Sequence, residues 1–405
     1  MYVRTSEALR RVPTSYLYDS SSPLGQTFSA PKDLVCPEDP KCPKGLICLG
    51  HTHSPRKPTP KTLGRFTTEP EACLAVGDMN PLFLDANDNL IIDESSTGLH
   101  TALRTLIMGK YSKYLGNRVN KGPSTNDRLR VALVDITGDK ITQPRFAGWG
   151  STVAADAASC AKIAPLYAAF QLQNDLKHLA AQENLTTIAD LIRSARDHWK
   201  KAHLPDSPKL SQFLDAKANP PNIDFSSGVK VAFANIIDQH KANYAARVLI
   251  DKVGFSYIAS LMWQSGLRHP TRGGLWLLSS YGRPVLRWKN APRPSPEPVY
   301  GHTATALSLV TYFTLLAQGR LVNEAASGEI KRRLSTASWF NKTLPSANIA
   351  SKVGLLATHV HEAGLIENGR FRYAVAIMTV GIPEGISLLQ QLIGELDSLI
   401  RANNP

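Results

Sequence analysis

No stretch of the 405-residue chain approaches the roughly 18 consecutive apolar residues that a bilayer-spanning helix needs, so no transmembrane segment is expected. The opening Met1-Tyr-Val-Arg-Thr-Ser-Glu7 also lacks the apolar centre of a secretory signal. The expectation is a soluble protein whose compartment these residues leave open. Acidic residues are the scarcer charged class: 33 Asp and Glu face 46 Lys and Arg, a net charge of +13 that makes an anionic partner or polymer worth testing. No basic segment interleaved with aromatic residues accompanies that charge, which excludes a specific nucleic-acid reader. Cysteine is sparse, at five. An odd count leaves at least one thiol unpaired within the chain and leaves the redox compartment open.

What is present is enough to fold. Hydrophobic residues make up 43% and charged residues 20%, a composition that can bury a core and is not that of a disordered chain. The first 97 residues read as an irregular N-terminal extension. Pro23, Pro31, Pro37, Pro40, Pro43, Pro55, Pro58 and Pro60 interrupt any helical or strand period there. Cys36, Cys42 and Cys48, followed by His51 and His53, carry zinc-type donors. Five residues separate each successive pair of cysteines, however, where zinc knuckles use about two to four, so a local disulfide or free thiols is expected rather than a metal site. Asp85-Ala-Asn87-Asp-Asn89-Leu90 mimics a calcium loop, but Leu90 and Ser96 stand where the sharp-turn Gly and the bidentate Glu belong, so it reads as an Asx-rich turn.

From Gly98 the pattern becomes regular. Leu99, Leu103, Leu106, Ile107, Tyr111 and Leu115 recur at helical spacing, and Leu129 to Thr137 with Ile141 to Trp149 read as a hairpin. Helical periodicity runs from about 157 to 267, with a break around Pro205 to Pro221. Strand-like segments return at 351–357, 359–366 and 371–379, the last two joined by an Asn368-Gly369 turn, and a final amphipathic helix follows Pro383. The expected fold class is α/β, with an antiparallel sheet built from both chain ends (129–149 and 351–401), flanked by helices. An all-helical lobe of about 157–340 is inserted between the sheet halves, within one domain of 98–405.

The chemistry-bearing segment is Ala157-Ala-Ser159-Cys160-Ala161-Lys162-Ile163, which sets Ser159 and Lys162 three apart at a helix start. Residues i and i+3 share a face, so a desolvated, neutral Lys162 can take the proton of Ser159 and make it a nucleophile. A capping serine beside a solvated lysine is the alternative meaning of the same spacing. Cys160, next along the helix, points about 100° away and reads as a packing thiol.

With these elements in this order the chain resembles the serine β-lactamase and penicillin-binding protein superfamily, closest in layout to class A β-lactamases. The resemblance covers roughly residues 98–405. It rests on the hairpin at 129–149, the S-x-x-K helix at Ser159, Lys352-Val353-Gly354 on the first C-terminal strand, and Thr303 to Leu321, which looks like the helix between the second and third motifs. It implies acyl transfer or hydrolysis on an amide or ester through a Ser159 acyl-enzyme. Lys241-Ala242-Asn243 takes the place of the S-D-N motif, with Asn243 as the substrate-contacting Asn and Lys241 where the proton-relaying serine stands. Lys352 would add positive charge to the site floor, Gly354 would let substrate approach the strand, and the backbone N–H groups of Leu355 and Ser159 would form the oxyanion hole. Val353 replaces a hydroxyl residue and cannot donate to a substrate carboxylate.

The loop at about 268–300 should hold the water-activating glutamate but has no E-x-x-L-N pattern. It carries Arg268, Arg272, Arg283, Arg287, Lys289, Arg293 and a lone carboxylate, Glu297, read as a loop residue within a solvated basic loop. His359, His361 and Glu362 form H-x-H-E on a strand and read as pocket-lining or surface residues, not metal ligands. No metal or cofactor is expected, and the substrate would be a small molecule or peptide-like. The rival reading is a catalytically weak or inactive relative that binds a cell-wall-like or other anionic polymer in the same cleft.

Overall fold

The computed structural model describes residues 97–405 except 117–126, 142–143, 202–207, 218, 221, 239, 270–272, 278–280, 282–301 and 336–337. The readings made for Cys36, Cys42, Cys48, the Asx-rich turn at 85–90 and Glu297 therefore lie outside the described residues. In chain order the described elements are α1 (Thr97–Lys110), β1 (Leu129–Asp135), β2 (Arg145–Trp149), β3 (Ala155–Asp156), α2 (Ile163–Gln182), α3 (Ile188–Lys201), α4 (Leu210–Phe213), α5 (Ser227–Asn235), α6 (Ala242–Val253) and α7 (Phe255–Gln264). After these come β4 (Arg268–His269), β5 (Gly273–Gly274), β6 (Trp276–Leu277), β7 (His302–Ala304), α8 (Ala306–Ala317), α9 (Glu324–Leu334), α10 (Trp339–Thr343), β8 (Asn348–Leu356), β9 (His359–Asn368), β10 (Phe371–Val380) and α11 (Gly385–Ala402).

The main sheet is antiparallel in the order β2-β1-β10-β9-β8, so both chain ends build it, and among the described residues β8 is an edge strand. All seven residues of β1 are buried. Both faces of the strand are covered, which is why its sequence is almost continuously apolar instead of alternating. Alternate residues still sort by face. Val131 and Leu133 join a core layer with α1, α10 and α11, while Ala132 and Val134 join the layer holding α2, α8 and the helical lobe. The second face is rich in small side chains, Ala132, Ala350, Ala363, Ala374 and Ala376, and α8 packs there against β1, β9 and β10.

Helix α8 thus falls inside the segment read as lobe, yet it spends its length on the sheet. A capping box starts it: the Thr305 hydroxyl accepts from the Ser308 N–H, and Ser308 Oγ accepts from the Thr305 N–H. Two other expectations shift. The first helix ends at Lys110, with Ser112–Tyr114 forming a separate 3-10 turn, and a 3-10 turn at Gly138–Ile141 delays the second hairpin strand to Arg145. Short strands β3, β7 and β6 form a second, three-stranded sheet at the start of the α2 segment.

Candidate active site

Asp156 ends β3, and its carboxylate accepts the Ala158 N–H at 2.8 Å, which turns the chain sharply. Ala158 sits at φ +48°, a left-handed conformation that costs an alanine roughly 1 kcal/mol and persists only where its neighbours enforce it. Three further contacts clamp this corner. Ala157 N–H donates to the His302 carbonyl at 3.1 Å, Tyr281 Oη donates to the Ala158 carbonyl at 3.0 Å, and Gly354 of β8 lies directly against it. A Cβ on Gly354 would meet the Ala157 carbonyl and Cys160 Sγ at 3.0 Å each, so only glycine lets β8 approach the corner this closely.

The chain then runs through a 3-10 turn, Ala158–Lys162, before α2 begins. In such a turn residues three apart eclipse one another, and Lys162 Nζ donates a short hydrogen bond to Ser159 Oγ. The alternative of a solvated lysine is excluded, because Lys162 is only 2% exposed. Burial, reinforced by the nearby Lys352 ammonium, lowers the Lys162 pKa to about 7. The amine therefore exchanges between charged and neutral forms near neutrality. Cys160 is inert by comparison: its buried Sγ donates to the Lys352 carbonyl at 3.3 Å, and burial pushes its pKa up to about 12.

Lys352, buried on β8, donates from Nζ to the Val353 carbonyl at 2.8 Å, and burial lowers its pKa. Strand register locates the oxyanion-hole candidate. Asn368 pairs with Phe371 across the β9–β10 turn, and Val360, an even number of residues before Asn368, directs its N–H and carbonyl toward β10, where both bond the Thr379 hydroxyl. Its partner across β8 is Leu355, whose backbone groups therefore face the β8 edge of the sheet, as do those of Val353. The Leu355 side chain is exposed and that of Val353 is half-buried.

Lys241 and Asn243 stand at the start of α6, both exposed. The Lys241 N–H donates to Asp238. Among the described residues no hydrogen bond links either side chain to Ser159, Lys162 or Lys352. The structure thus gathers Ser159, Lys162, Lys352, Val353, Gly354 and Leu355 around one corner and leaves Lys241 and Asn243 on an exposed helix start.

Two residues of this corner carry no sequence signal. The Tyr281 ring lies 4.4 Å from Lys162 Nζ and stacks on His302 with 4.5 Å between ring centroids. His302 is buried, and desolvation followed by the Lys162 charge lowers its pKa to about 3, so it is neutral. His361, expected to line a pocket or the surface, is fully buried. Its Nδ1 accepts from the Thr379 N–H, which fixes the proton on Nε2, bonded to the Asp156 carbonyl at 2.8 Å. It braces the corner from behind. Among the described residues no group of three metal donors occurs. Arg268 departs from the solvated basic loop expected of its segment: it is buried, with its guanidinium 5.0 Å from the Trp276 ring.

Residues 123–396, more than half of the chain, match a model of the β-lactamase enzyme family. Among solved structures, the chain is similar to a β-lactamase from Sphaerobacter thermophilus at 18% identity and a TM-score of 0.43, with 75% of this chain and 95% of that one covered. It is likewise similar to PBP-A at 19% identity and 0.43, covering 76% and 97%, and to a β-lactamase from Chitinophaga pinensis at 15% and 0.43, covering 68% and 94%. No curated protein matches it.

Proposed function

The chain belongs to the β-lactamase enzyme family, and we propose that its own reaction is acyl transfer from an amide or ester through an acyl-enzyme on Ser159. The observation that carries this reading is the buried Lys162 amine bonded to Ser159 Oγ and titrating near 7. In its neutral form Lys162 takes the hydroxyl proton while Oγ bonds to the substrate carbonyl carbon. The negative charge that develops on the carbonyl oxygen is met by the N–H groups of Ser159 and Leu355, with the buried Lys352 adding positive potential. Collapse of that intermediate breaks the C–N or C–O bond, and the leaving group takes back the proton from Lys162. Asn243 is assigned to the substrate's far side, and Lys241 stands where a relay serine would return the proton. The exposure of Lys241 argues for a weak contribution to that relay.

Release of the acyl group needs an activated water. The segment at about 268–300 has no E-x-x-L-N pattern to supply a water-activating glutamate, and slow deacylation with an accumulating acyl-enzyme is part of the same proposal. Val353 offers no hydroxyl to a substrate carboxylate, which favours substrates other than penicillin-like acids. The same Val353 and the exposed Lys241 favour a second reading, a weak or inactive relative that binds an anionic or cell-wall-like polymer in this cleft. Among the described residues no helix is long and apolar enough to cross a membrane.

Intact-mass measurement after incubation with a fluorescent penicillin and with a fluorophosphonate separates the two. One covalent adduct, lost in Ser159→Ala and kept in Cys160→Ala, is the expected result. Absence of an adduct with either probe overturns the enzyme, and polymer binding that weakens steeply with salt then supports the second reading.

A further inference from the structure

A buried ammonium is normally held by a carboxylate, because desolvating an unpaired charge costs several kcal/mol. At Lys162 the surroundings are different. Lys352 from β8 faces it with like charge, Cys160 beside it is a protonated thiol, and His302 from β7 is neutral and close enough to feel its charge. Ser159 Oγ accepts one of its protons. Among the described residues no carboxylate pairs with it, and the remaining neighbour is the Tyr281 ring, its centroid 4.4 Å from Nζ.

That ring is fixed at both ends. Its hydroxyl donates to the carbonyl of strained Ala158 at 3.0 Å, and burial with the nearby Cys160 and Asp156 keeps the hydroxyl protonated and a donor. Its other contact is the stack on His302, whose carbonyl in turn receives the Ala157 N–H. One tyrosine therefore ties the backbone before the serine to the amine after it.

We propose that Tyr281 is the positioning residue of the Ser159–Lys162 pair, its ring face holding the lysine cation in place of a carboxylate and its hydroxyl locking that ring to the serine's corner. The proposal rests on the acyl-transfer reading for its catalytic consequence but not for its physical content. When Ser159 attacks, its proton passes to Nζ and a cation forms in a dry site, where the negative face of the ring stabilises it. A carboxylate would do so more strongly, but it would hold the amine charged at neutral pH and remove the base. An aromatic face stabilises the cation modestly and leaves the amine free to titrate.

Electron withdrawal from the ring tests this without changing its shape. Tyr281→Phe serves as the reference, and phenylalanines bearing one, two, three and five fluorines are placed at 281. The first readout is the 13Cε resonance of Lys162 in lysine-labelled protein, assigned by its loss in Lys162→Arg and titrated with pH. The second is the pH profile of Ser159 labelling by a fluorophosphonate. The expected result is a stepwise acid-ward movement of the Lys162 midpoint, about one pH unit across the series, with the labelling limb following it and the plateau rate falling several-fold. A midpoint that stays in place across the series overturns the proposal even if labelling proceeds normally. A midpoint that moves while no probe labels Ser159 leaves this proposal standing and removes the acyl-transfer reading instead. Unfolding midpoints close to that of Tyr281→Phe are the expected control, since the variants differ mainly in the quadrupole of the ring and little in its size.

Discussion

Two ends of one sheet handle buried charge in opposite ways. Near the β9–β10 turn, Asp135 of β1 is fully buried, and burial alone would raise its pKa. Arg145, the Asn404 side chain and the Thr137 backbone all donate to it and hold its pKa below the usual carboxylate value. At the other end, where Gly354 aligns through His361 and Met378 with Arg130, buried groups move toward their neutral forms. Lys162 falls to about 7, Lys352 falls, and Glu362 on β9 rises to about 7. One end compensates its charge and gains rigidity. The other suppresses charge, and an amine that is neutral near pH 7 is a base. Damage to the first should cost stability alone, while damage to the second should cost reactivity and leave stability equal or higher.

The sharpest break of that contrast is Lys162→Met. Fluorophosphonate labelling of Ser159 is expected to fall by about a thousandfold, since the general base is gone. The unfolding free energy should rise by about 1 kcal/mol, because a flexible apolar side chain of similar length replaces a poorly compensated cation. In the wild type, labelling should climb with pH through about 7. Stability should also climb, between 7 and the unfolded lysine value near 10.5, where the unfolded chain binds the proton that the folded site has already released. A loss of stability in Lys162→Met would show that the site end is compensated after all.

Asp135→Asn probes the other end and should do the reverse. Arg145 then keeps its charge without the carboxylate, at a cost of about 3 kcal/mol, the lower part of the range for a broken buried pair because Arg145 is 29% exposed. Labelling of the folded fraction should not change. The wild type should lose this contribution only in acid, as pH falls through the carboxylate range, because the folded pKa lies below the unfolded one. Chemical denaturation at pH 7 and at about pH 2 measures both effects, and a variant as stable as the wild type at pH 7 would sink the compensated picture.

How much of this could be read in advance differs between the two ends. Ser159 and Lys162 were legible from their i, i+3 spacing, while Lys352 and Gly354 were set beside them by the family resemblance. Tyr281 and His302 were not. Their contacts with Lys162 and with each other cross loops with no period, and β3, β6 and β7 are two or three residues long, too short to show alternation. Helix α8 was visible as a helix but not as a sheet-facing one, because its partners are alanines scattered over strands more than 200 residues apart in sequence. The Asp135–Arg145–Asn404 cluster was hidden for the same reason: its third member is the penultimate residue of the chain. Lys241 and Asn243 were paired with the site by the family resemblance alone, and from the exposed start of α6 no hydrogen bond among the described residues joins either side chain to Ser159, Lys162 or Lys352.

Glu362 gives the finest test, because it is a carboxyl at the suppressed end with hydrogen bonds but, among the described residues, no hydrogen-bonded cation. Ser351 Oγ donates to it at 2.7 Å and the Phe340 N–H at 3.2 Å, and desolvation still outweighs these donors. Its folded pKa lies above the unfolded value, so the folded state holds an extra proton between about 4.5 and 7, and stability falls as pH rises through that window. Glu362→Gln cannot ionise but keeps one acceptor oxygen, whereas the carboxyl accepts Ser351 Oγ on Oε1 and the Phe340 N–H on Oε2, so one of these donors loses its acceptor. Near pH 4 it should be about 1 kcal/mol less stable than the wild type for that lost hydrogen bond, and the difference should then turn in its favour as pH rises, to about 1 to 2 kcal/mol above 8. Denaturation curves at four pH values read this directly. A difference that stays flat with pH would mean that Glu362 is ionised in the fold, and that the strand carrying Lys352 and Gly354 rests on a buried charge as Asp135 does at the far end.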